Sequence, residues 1–510
     1  MFHSFRFIMA ALATGLWAST AGAEAQDTSV IELPDATARA AKPFTAASSQ
    51  TLRDRDFALR VMLKPEDLIK VTPGLFTGQH AGGGKANQYF LRGFDIDHGT
   101  DLALWVDGMP VNNVSHGHGQ GYADLHFIIP ELFERVEVHK GPYAAEYGDF
   151  ATAGAVRMVT RERFKESFAE LRGGMQSSYR FLGVYAGADT VHRPVLAAEV
   201  NRSDGLFENP EDLERYNLFF RSSLMRTSSS SVDLTLMSYG ADWNGSGQIP
   251  ERAVKAGTLD RFGSVDPSEG GNSQRHSASI KLRSTPGDRS DWQVSAYLIN
   301  YRLALYSNFT FFAADSVHGD QIEQNDRRMV TGFNGFYRST GKGLGLDWTS
   351  TAGLDMRNDI IQNALGPSQA RRRIGETVAA GIREGSMGLY LQEEVSPLAR
   401  LRLVGGVRAD YFGFDVSDKL QAISDSAVKT SGVRSASVIS PKINAILGPF
   451  FKTELYLNFG HGFHSNDARG VVKRPDAVTP LAKAVGYEAG VRTSLIPRVD
   501  FAAALWKLDM

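Results

Sequence analysis

The chain has no cysteine among its 510 residues and no excess of charge of either sign. The lack of cysteine excludes a disulfide scaffold and a metal site built on thiolates. With 55 basic against 57 acidic residues, the chain also lacks the basic balance that is typical of nucleic-acid-binding proteins. We therefore expect no nucleic-acid partner.

Long hydrophobic runs are missing after the first thirty residues. Arg6 precedes an apolar run from Phe7 to Trp17, and the segment Ala21 to Ala25 offers two small-x-small cleavage sites. The run is shorter than the roughly 20 residues that a membrane-spanning helix needs. We predict a signal peptide at residues 1–25, with a short membrane anchor as the alternative, and an exported protein without a transmembrane helix.

Catalytic motifs are missing as well. Gly82-Gly83-Gly84-Lys85-Ala86 lacks both the first glycine and the Ser or Thr after Lys that a phosphate-binding loop requires. The sequence contains neither His-Glu-x-x-His nor Gly-x-Ser-x-Gly. We predict that the chain is not an enzyme and needs no cofactor.

Residues 164–510 repeat one theme, in which alternating strands are joined by turns and polar loops. Leu218 to Met225 and Trp292 to Tyr301 are two examples of the alternation. Short turns such as Thr285 to Asp288 alternate with long polar loops such as Ala241 to Ser273 and Asn358 to Ile382. This sorting of connections is typical of an outer-membrane β-barrel and not of a soluble sandwich. The sequence predicts an antiparallel membrane barrel.

The number of predicted strands is about 15, which is odd, whereas a bacterial barrel normally has an even number. Plugged transporters close at about 22 strands. The sequence reaches Met510 within the strand pattern. We expect a partial barrel whose C-terminal strands are missing.

Residues 57–163 form a different, glycine-rich segment that predicts a small α+β domain. Lys64 to Ile69 has the features of a helix start. Leu102 to Val106 and Gly154 to Thr160 have the character of strands, and Asp107-Gly108 is a strong hairpin signal. Residues 26–56 before this domain are polar and predict a flexible periplasmic arm.

This segment resembles the plug domain of TonB-dependent outer-membrane receptors, because several short motifs follow one another in the order found in that family. They are Pro73-Gly74-Leu75, Leu91-Arg92-Gly93-Phe94, Val106-Asp107-Gly108-Met109-Pro110, Ile129-Pro130-Glu131, Val136-Glu137-Val138, Lys140-Gly141-Pro142 and Gly148-Asp149-Phe150 through Gly154-Ala155-Val156. Gly460-His461-Gly462-Phe463 and Gly486-Tyr487-Glu488-Ala489-Gly490 are similar to the barrel of that family. The resemblance implies that the plug lies inside the barrel lumen.

The resemblance also implies a mechanism. A scarce extracellular ligand, such as a siderophore, haem, cobalamin, a metal or an oligosaccharide, binds from outside. The periplasmic TonB protein then pairs with an N-terminal segment and pulls the plug open, with energy from the inner-membrane proton-motive force. The candidate segment for TonB is extended and rich in β-branched residues: Asp27, Thr28, Ser29, Val30, Ile31, Glu32 and Leu33. The expected surroundings are outer-membrane lipid and lipopolysaccharide, and the expected barrel is monomeric.

Histidines cluster in one stretch of the plug. The candidate ligand-binding residues are His98, His116, His118, Tyr122 and His126. Imidazoles are common metal ligands, so a ligand or transition-metal contact is one interpretation. A glycine-rich loop whose histidines hydrogen-bond the barrel wall is the other, and we predict no definite metal site.

Three functions therefore stay open at the level of sequence. The leading one is an active importer, a passive channel is the second, and a truncated receptor that transports nothing is the third. The plug argues against the passive channel, because an occupied lumen blocks diffusion.

Overall fold

The computed structural model describes residues 49–57, 60, 62–79, 82–343, 345–420 and 431–510. The predicted signal peptide and the segment Asp27 to Leu33 lie outside these residues. None of the helices in the described part of the chain is long and apolar enough to cross a membrane.

The N-terminal domain, called the plug here, contains two small sheets. Its elements are β1 (Gln50–Arg53), α1 (Asp54–Phe57), α2 (Asp67–Lys70), β2 (Leu75–Gly78), β3 (Gln88–Leu91), β4 (Phe94–Asp95), β5 (Leu102–Val106), β6 (Met109–Pro110), a 3-10 turn (Pro130–Leu132), β7 (Phe133–Lys140) and β8 (Gly154–Thr160). One sheet has the order β1-β7-β8-β5-β6, and the other has the order β2-β3-β4. Strand β1 lies in the segment predicted as a flexible arm and pairs with β7.

Strands β5 and β8 have the bounds that the sequence predicts, and they pair in parallel at the centre of the larger sheet. Apart from the half-buried Trp105, their apolar side chains are buried. The predicted hairpin turn is present between β5 and β6, with φ of 50° at Asp107 and 91° at Gly108. The Asp107 carboxylate accepts hydrogen bonds from the Thr160 amide (3.1 Å) and hydroxyl (2.6 Å), which fixes this turn to the end of β8.

The rest of the chain forms one large antiparallel sheet. Its strands are β9 (Phe168–Gly173), β10 (Tyr179–Ala186), β11 (Val195–Ser203), β12 (Leu213–Arg226), β13 (Ser230–Asn244), β14 (Gly270–Gly287), β15 (Ser290–Ser307), β16 (Ile322–Gly343), β17 (Leu346–Gln369), β18 (Arg372–Arg373), β19 (Val378–Leu398), β20 (Leu401–Asp418), β21 (Gly432–Phe450), β22 (Thr453–Ser465), β23 (Leu481–Thr493) and β24 (Phe501–Asp509). Two short helices, α3 (Glu251–Lys255) and α4 (Ala468–Lys473), lie between strands.

Each strand of this sheet pairs with its neighbour in sequence, from β9 at one end of the order to β24 at the other. Of the sixteen strands, the two-residue β18 pairs only with β17, which leaves fifteen in the continuous order. The predicted number of about 15 is confirmed. A meander of this kind is the strand order of an up-and-down barrel wall.

The strands turn their polar side chains inward. On β12, Arg215, Asn217 and Arg221 are buried, whereas the alternate Leu218 is exposed. Polar-in and apolar-out alternation is the pattern of a barrel in lipid, where the outer face meets hydrocarbon.

The connections differ at the two ends of the sheet. At the short-turn end, 227–229, 288–289, 399–400 and 451–452 join consecutive strands. At the other, long-loop end, the connections include 245–269, 308–321 and 466–480. The predicted alternation of short and long connections is therefore present.

One predicted loop is wrong. The segment Asn358 to Ile382 was expected to be a long polar loop, but β17 continues to Gln369 and β19 begins at Val378. Its polar residues Asp359 and Asn363 are buried and face inward, so the strand pattern there is hidden by a polar inner face. Several short turns likewise begin later than predicted, because the strands extend beyond the apolar alternation.

Candidate functional site

The histidine-rich stretch follows β6 and lies at the top of the plug, near the long-loop end of the sheet. Asn112 organises its base: the side-chain amide donates to the carbonyls of Gly99 (2.9 Å) and Leu102 (2.8 Å) and accepts from the Leu104 amide (2.7 Å). Gly99 and Gly121 approach closely there, and a Cβ on Gly99 would lie 2.7 Å from the Gly121 carbonyl oxygen. These contacts fold the stretch back onto the end of the plug sheet.

Four of the five predicted ligand-binding residues form one cluster. The His116 ring stacks on Tyr122 with centroids 4.2 Å apart and planes 10° apart. The rings of His98 and His118 lie 4.9 Å apart, and His118 meets Tyr122 edge-on at 5.7 Å. Tyr301 of β15 adds a ring from the barrel wall, 5.7 Å from His116.

His126 lies outside this cluster. Its Nδ1 is 2.6 Å from the Asp124 carboxylate, and its backbone carbonyl accepts a hydrogen bond from Asn217 of β12 (3.1 Å). These contacts describe a residue that joins the plug to the barrel wall. The prediction that His126 contacts a ligand with the others has no geometric support.

Hydrogen bonds determine which ring nitrogen of each histidine carries the proton. His98 Nδ1 donates to the Asn87 carbonyl (3.0 Å), and His118 Nδ1 donates to the Gln324 side-chain carbonyl (2.9 Å). His116 Nδ1 accepts from the His118 backbone amide (3.1 Å), so the proton of His116 is on Nε2. Among the residues that the structure describes, that nitrogen has no hydrogen-bond partner, and the Asp326 carboxylate oxygen is 3.8 Å away.

The rings of His116 and His118 are neutral at physiological pH. Burial lowers the pKa of His116 to about 3 and outweighs the opposing attraction of Asp326. Burial likewise lowers the pKa of His118 well below its ordinary value. These two neutral rings offer hydrogen bonds and ring faces to a ligand.

The possible metal ligands were compared across the described residues. In the part of the chain that the structure describes, no three His, Asp or Glu side chains are arranged to hold a metal ion. Of the cluster, His98, His116 and Tyr122 are buried, whereas His118 and its neighbour Gln120 are half-buried. His118 and Gln120 are therefore the residues that a ligand arriving from the long-loop end could reach.

A glycine-rich loop beside the cluster seats the plug against the barrel wall. A Cβ on Gly84 would lie 2.0 Å from the ring of Trp243, and a Cβ on Gly82 would lie 2.6 Å from the same ring. The glycines of the segment that superficially resembles a phosphate loop are thus required by this close approach. Lys85 follows them, and burial lowers its pKa to about 8.

The long loops are joined above this region. The Arg371 guanidinium donates to the carbonyls of Ser268 and Glu269 (both 2.7 Å) and to the Asn244 side chain (2.7 Å). It also lies 5.8 Å from the centre of the Tyr306 ring. The Arg371 backbone amide donates to the Gln321 side chain in the loop after β15 (2.9 Å), so this residue connects the loops after β13, β15 and β17.

Sequence reasoning missed the residues that hold the plug. The segment 108–116, called the anchor segment here, turns alternate carbonyls to the barrel wall. Five barrel side chains donate to these carbonyls: Asn334 to Gly108 (2.8 Å), Arg275 to Pro110 (3.1 Å), Arg357 to Asn112 (2.9 Å), Arg328 to Val114 (2.7 Å) and Arg469 to His116 (3.0 Å). Because the acceptors are backbone groups, the contacts do not depend on the side chains of the anchor segment.

Wall carboxylates fix some of these arginines. Arg328 pairs with Asp326 (2.7 Å) and Asp359 (3.3 Å), and Arg357 pairs with Asp359 (2.6 Å). In sequence, the pairs read as Asp-x-Arg and Arg-x-Asp, which places opposite charges on the same face of a strand. That spacing could have identified these residues, because a charged inner face is unusual except where it meets a polar partner.

Two family models match the chain. The TonB-dependent Receptor Plug Domain model matches residues 42–155, and the TonB dependent receptor-like, beta-barrel model matches residues 215–510. Among curated proteins, the Vitamin B12 transporter BtuB of Vibrio vulnificus (strain CMCP6) is 34% identical over 94 residues, which is 18% of this chain and 14% of that protein. The Ferrienterobactin receptor of Escherichia coli (strain K12) is 32% identical over 104 residues, which is 19% of this chain and 14% of that protein.

The matched part is therefore a small share of these curated relatives, whereas solved structures agree over most of this chain. The ferric citrate transporter FecA, in its unliganded form, has a TM-score of 0.76 at 16% identity, covering 90% of this chain and 69% of that one. The copper transporter OprC has a TM-score of 0.71 at 16% identity, covering 90% of this chain and 70% of that one. At such identities the likeness concerns the fold: a plug with a large antiparallel barrel wall. With the barrel model covering more than half of its residues, the chain belongs to the TonB-dependent receptor family.

Proposed function

We propose that the chain binds a scarce extracellular ligand at the long-loop end and carries it across the outer membrane to the periplasm with energy passed on by TonB. The observation that carries this proposal is the plug itself, which lies inside the wall and is hydrogen-bonded to wall strands from β9 to β23. A lumen occupied in this way needs an energy source to open. Family membership supplies the expected source.

The ligand site that we propose is the surface formed by His118 and Gln120, with His98, His116 and Tyr122 beneath it. The two half-buried side chains offer hydrogen-bonding groups to a ligand, and the buried rings fix their position. The relatives named above are a vitamin B12 transporter, a ferrienterobactin receptor and a copper transporter. We propose that the ligand of this chain is likewise a polar or metal-bearing molecule.

The proposal for TonB rests on the segment Asp27 to Leu33. Extended, β-branched peptides bind by adding a strand to a partner sheet, and this segment precedes the plug. The barrel then lies in outer-membrane lipid with its long loops facing the lipopolysaccharide. Signal-peptide cleavage near Ala25 is part of the same proposal.

Deletion of residues 27–33 tests import directly. Cells that lack their own receptors would express the chain with or without the deletion, and uptake of radiolabelled cobalamin and ferric enterobactin would be measured. We expect cells that express the full chain to accumulate one of these probes only when TonB is present. The deletion should abolish this uptake. Uptake that is unchanged by the deletion would instead support a passive channel.

A further inference from the structure

The outer face of the wall carries an apolar band on the hairpin of β15 and β16. Near the short-turn end Trp292 lies directly opposite Tyr337, and ten residues further from that end Arg302 lies directly opposite Arg327. The outward residues between the two pairs carry no charge: Val294, Ala296, Leu298, Asn300, Met329, Thr331, Phe333 and Gly335. Ten residues of strand rise about 33 Å, which a tilt of about 40° reduces to a height of about 25 Å, as in the apolar band of a membrane barrel. The aromatic pair and the arginine pair therefore mark the two boundaries of the band.

The arginine pair places two like charges side by side on the outer face. Directly opposite residues of antiparallel strands have their Cβ atoms about 5 Å apart, and like charges at this spacing destabilise the sheet. Both Arg302 and Arg327 are exposed, and among the residues that the structure describes neither guanidinium has a carboxylate partner. The arrangement is unfavourable by itself and favours an anion that comes from outside the chain.

Other exposed arginines of the wall differ from this pair. Arg383 of β19 lies directly opposite Asp415 of β20. Arg202 of β11 has a carboxylate oxygen of Asp212 at 3.8 Å. The placement of two arginines against each other is therefore not the general pattern of charge on this wall.

Amide side chains flank the pair. Gln274 of β14 lies directly opposite Arg302, and Gln362 of β17 lies directly opposite Arg327. The four side chains form one row across four neighbouring strands, and each carries N–H donors. Guanidinium groups bind phosphate oxygens in a bidentate manner, and such charge-assisted bonds are stronger than bonds between neutral groups. The row is thus suited to a phosphate group.

The residues beside the row favour a lipid as the source of that phosphate. Leu298, Met329 and Ile360 are exposed on the same outer face, on the short-turn side of the row. A headgroup phosphate on the row would place acyl chains over these apolar side chains and remove them from water. A free phosphate ion would gain nothing from them. The charge and the apolar surface therefore fit one molecule.

We propose that Arg302 and Arg327, flanked by Gln274 and Gln362, bind the phosphate of a lipid in the leaflet on the long-loop side. The inference rests on the proposed position of the barrel in the outer membrane and not on import. The bound phosphate removes the repulsion within the pair and fixes the depth of the β15–β16 hairpin. The connection 308–321, which joins these two strands, is thereby held at the lipid surface.

The binding test uses the detergent-solubilised full chain and two forms of one lipid, which are diphosphorylated lipid A and lipid A without its phosphates. Non-denaturing mass spectrometry would measure the fraction of the chain that carries lipid as the lipid is added. We expect the phosphorylated form to bind. Arg302→Gln with Arg327→Gln should weaken this binding at least about tenfold, because charge-assisted hydrogen bonds to the phosphate are lost.

Arg202→Gln with Arg252→Gln is the matched control. It removes the same charge from exposed arginines of β11 and α3 that lie outside the row, so lipid binding should not change. The lipid without phosphates should bind the unchanged chain at least about tenfold more weakly than the phosphorylated form. Inorganic phosphate in large excess should not displace the phosphorylated lipid.

Each of four other outcomes would overturn the proposal. They are equal binding by the Arg302→Gln, Arg327→Gln chain, an equal loss in the control variant, equal binding of the lipid without phosphates, and displacement by inorganic phosphate. Import is measured separately, by uptake after deletion of residues 27–33. A failed binding test therefore leaves the proposed import function unchanged.

Thermal unfolding provides a second measurement. Without lipid, the Arg302→Gln, Arg327→Gln chain should unfold at the same temperature as the unchanged chain or at a higher one, because the repulsion is removed. Phosphorylated lipid should raise the unfolding temperature of the unchanged chain and not that of the variant. A variant that unfolds at a lower temperature without lipid would show that the arginines stabilise the fold by themselves, which contradicts a lipid site.

Discussion

Two parts of the barrel wall hold the plug, and they differ in the contacts that they make with it. On the β10–β15 face, buried rings and aliphatic side chains of plug and wall form one cluster. On the β16–β22 face, arginine and asparagine side chains bond to backbone carbonyls of the plug. Apolar packing is non-directional, so its stabilisation falls gradually as apolar area becomes exposed to water. A hydrogen bond from a buried charged group depends on geometry and is lost at once when that geometry changes. The comparison teaches that apolar packing dominates on the β10–β15 face, whereas the β16–β22 face adds directed bonds to the plug backbone to a smaller apolar cluster.

The largest effect is expected on the β16–β22 face. Arg328→Met would leave the Asp326 carboxylate buried without its nearest cation and would remove the donor to the Val114 carbonyl. Removing one partner of a buried ion pair typically costs about 3–5 kcal/mol. We expect a corresponding loss in the free energy of unfolding, measured by thermal unfolding of the detergent-solubilised chain.

The double variant Arg328→Met with Asp326→Asn is the control for this prediction. It removes the uncompensated charge, so we expect it to be less destabilised than the single variant. Equal destabilisation of the two variants would show that burial of the charge is not the cause.

A somewhat smaller effect is expected on the β10–β15 face. Trp243→Ala would empty the position against which Gly82 and Gly84 lie, and removal of a buried aromatic side chain costs about 3 kcal/mol or more. Limited proteolysis of the plug, together with thermal unfolding, would measure the loss. Trp348→Ala is the matched control, because Trp348 lies at the short-turn end against Gly341, away from the plug, and should leave proteolysis of the plug unchanged. Equal sensitivity of both variants would contradict the seating role of Trp243.

Much of this architecture could be predicted from the sequence, because it depends on local patterns. Strands β5 and β8 and the turn at Asp107-Gly108 follow from short, mainly apolar runs and from a residue pair that tolerates positive φ. The wall follows from strand alternation and from the parity of its connections. The bounds of β17 could not be predicted, because its inner face is polar and hides the alternation.

For the candidate site, the sequence predicted only which residue types are involved and not their arrangement. Clustered histidines indicated a special stretch, yet nothing in their spacing separates His118, which a ligand could reach, from His126, which bonds to Asp124. The hydrogen bonds to the anchor segment could not be predicted from the sequence, for a different reason. Their acceptors are backbone carbonyls, which any sequence would provide, and their donors lie more than a hundred and fifty residues away along the chain.

The smallest of these effects concerns His116, which lies between the two faces. Its ring stacks on Tyr122, and Asp326, Arg328 and Arg469 are the charged groups nearest to it. Because its pKa is about 3 in the folded chain and ordinarily about 6.5, the unfolded chain binds a proton between these values that the folded chain does not. Its contribution to stability is therefore complete above about pH 6.5 and is lost as the pH falls.

At pH 5 the loss due to this one histidine amounts to about 2 kcal/mol. His116→Phe keeps a ring on Tyr122 but cannot titrate, so the difference in thermal stability between pH 7 and pH 5 should shrink by about that amount. The lost acceptor for the His118 amide costs about 1 kcal/mol at both pH values and cancels in the difference. His192→Phe is the control, since His192 is exposed and hydrogen-bonded to Asp189. If His116→Phe retains the full pH dependence, protonation of His116 is not the cause of the loss of stability at low pH.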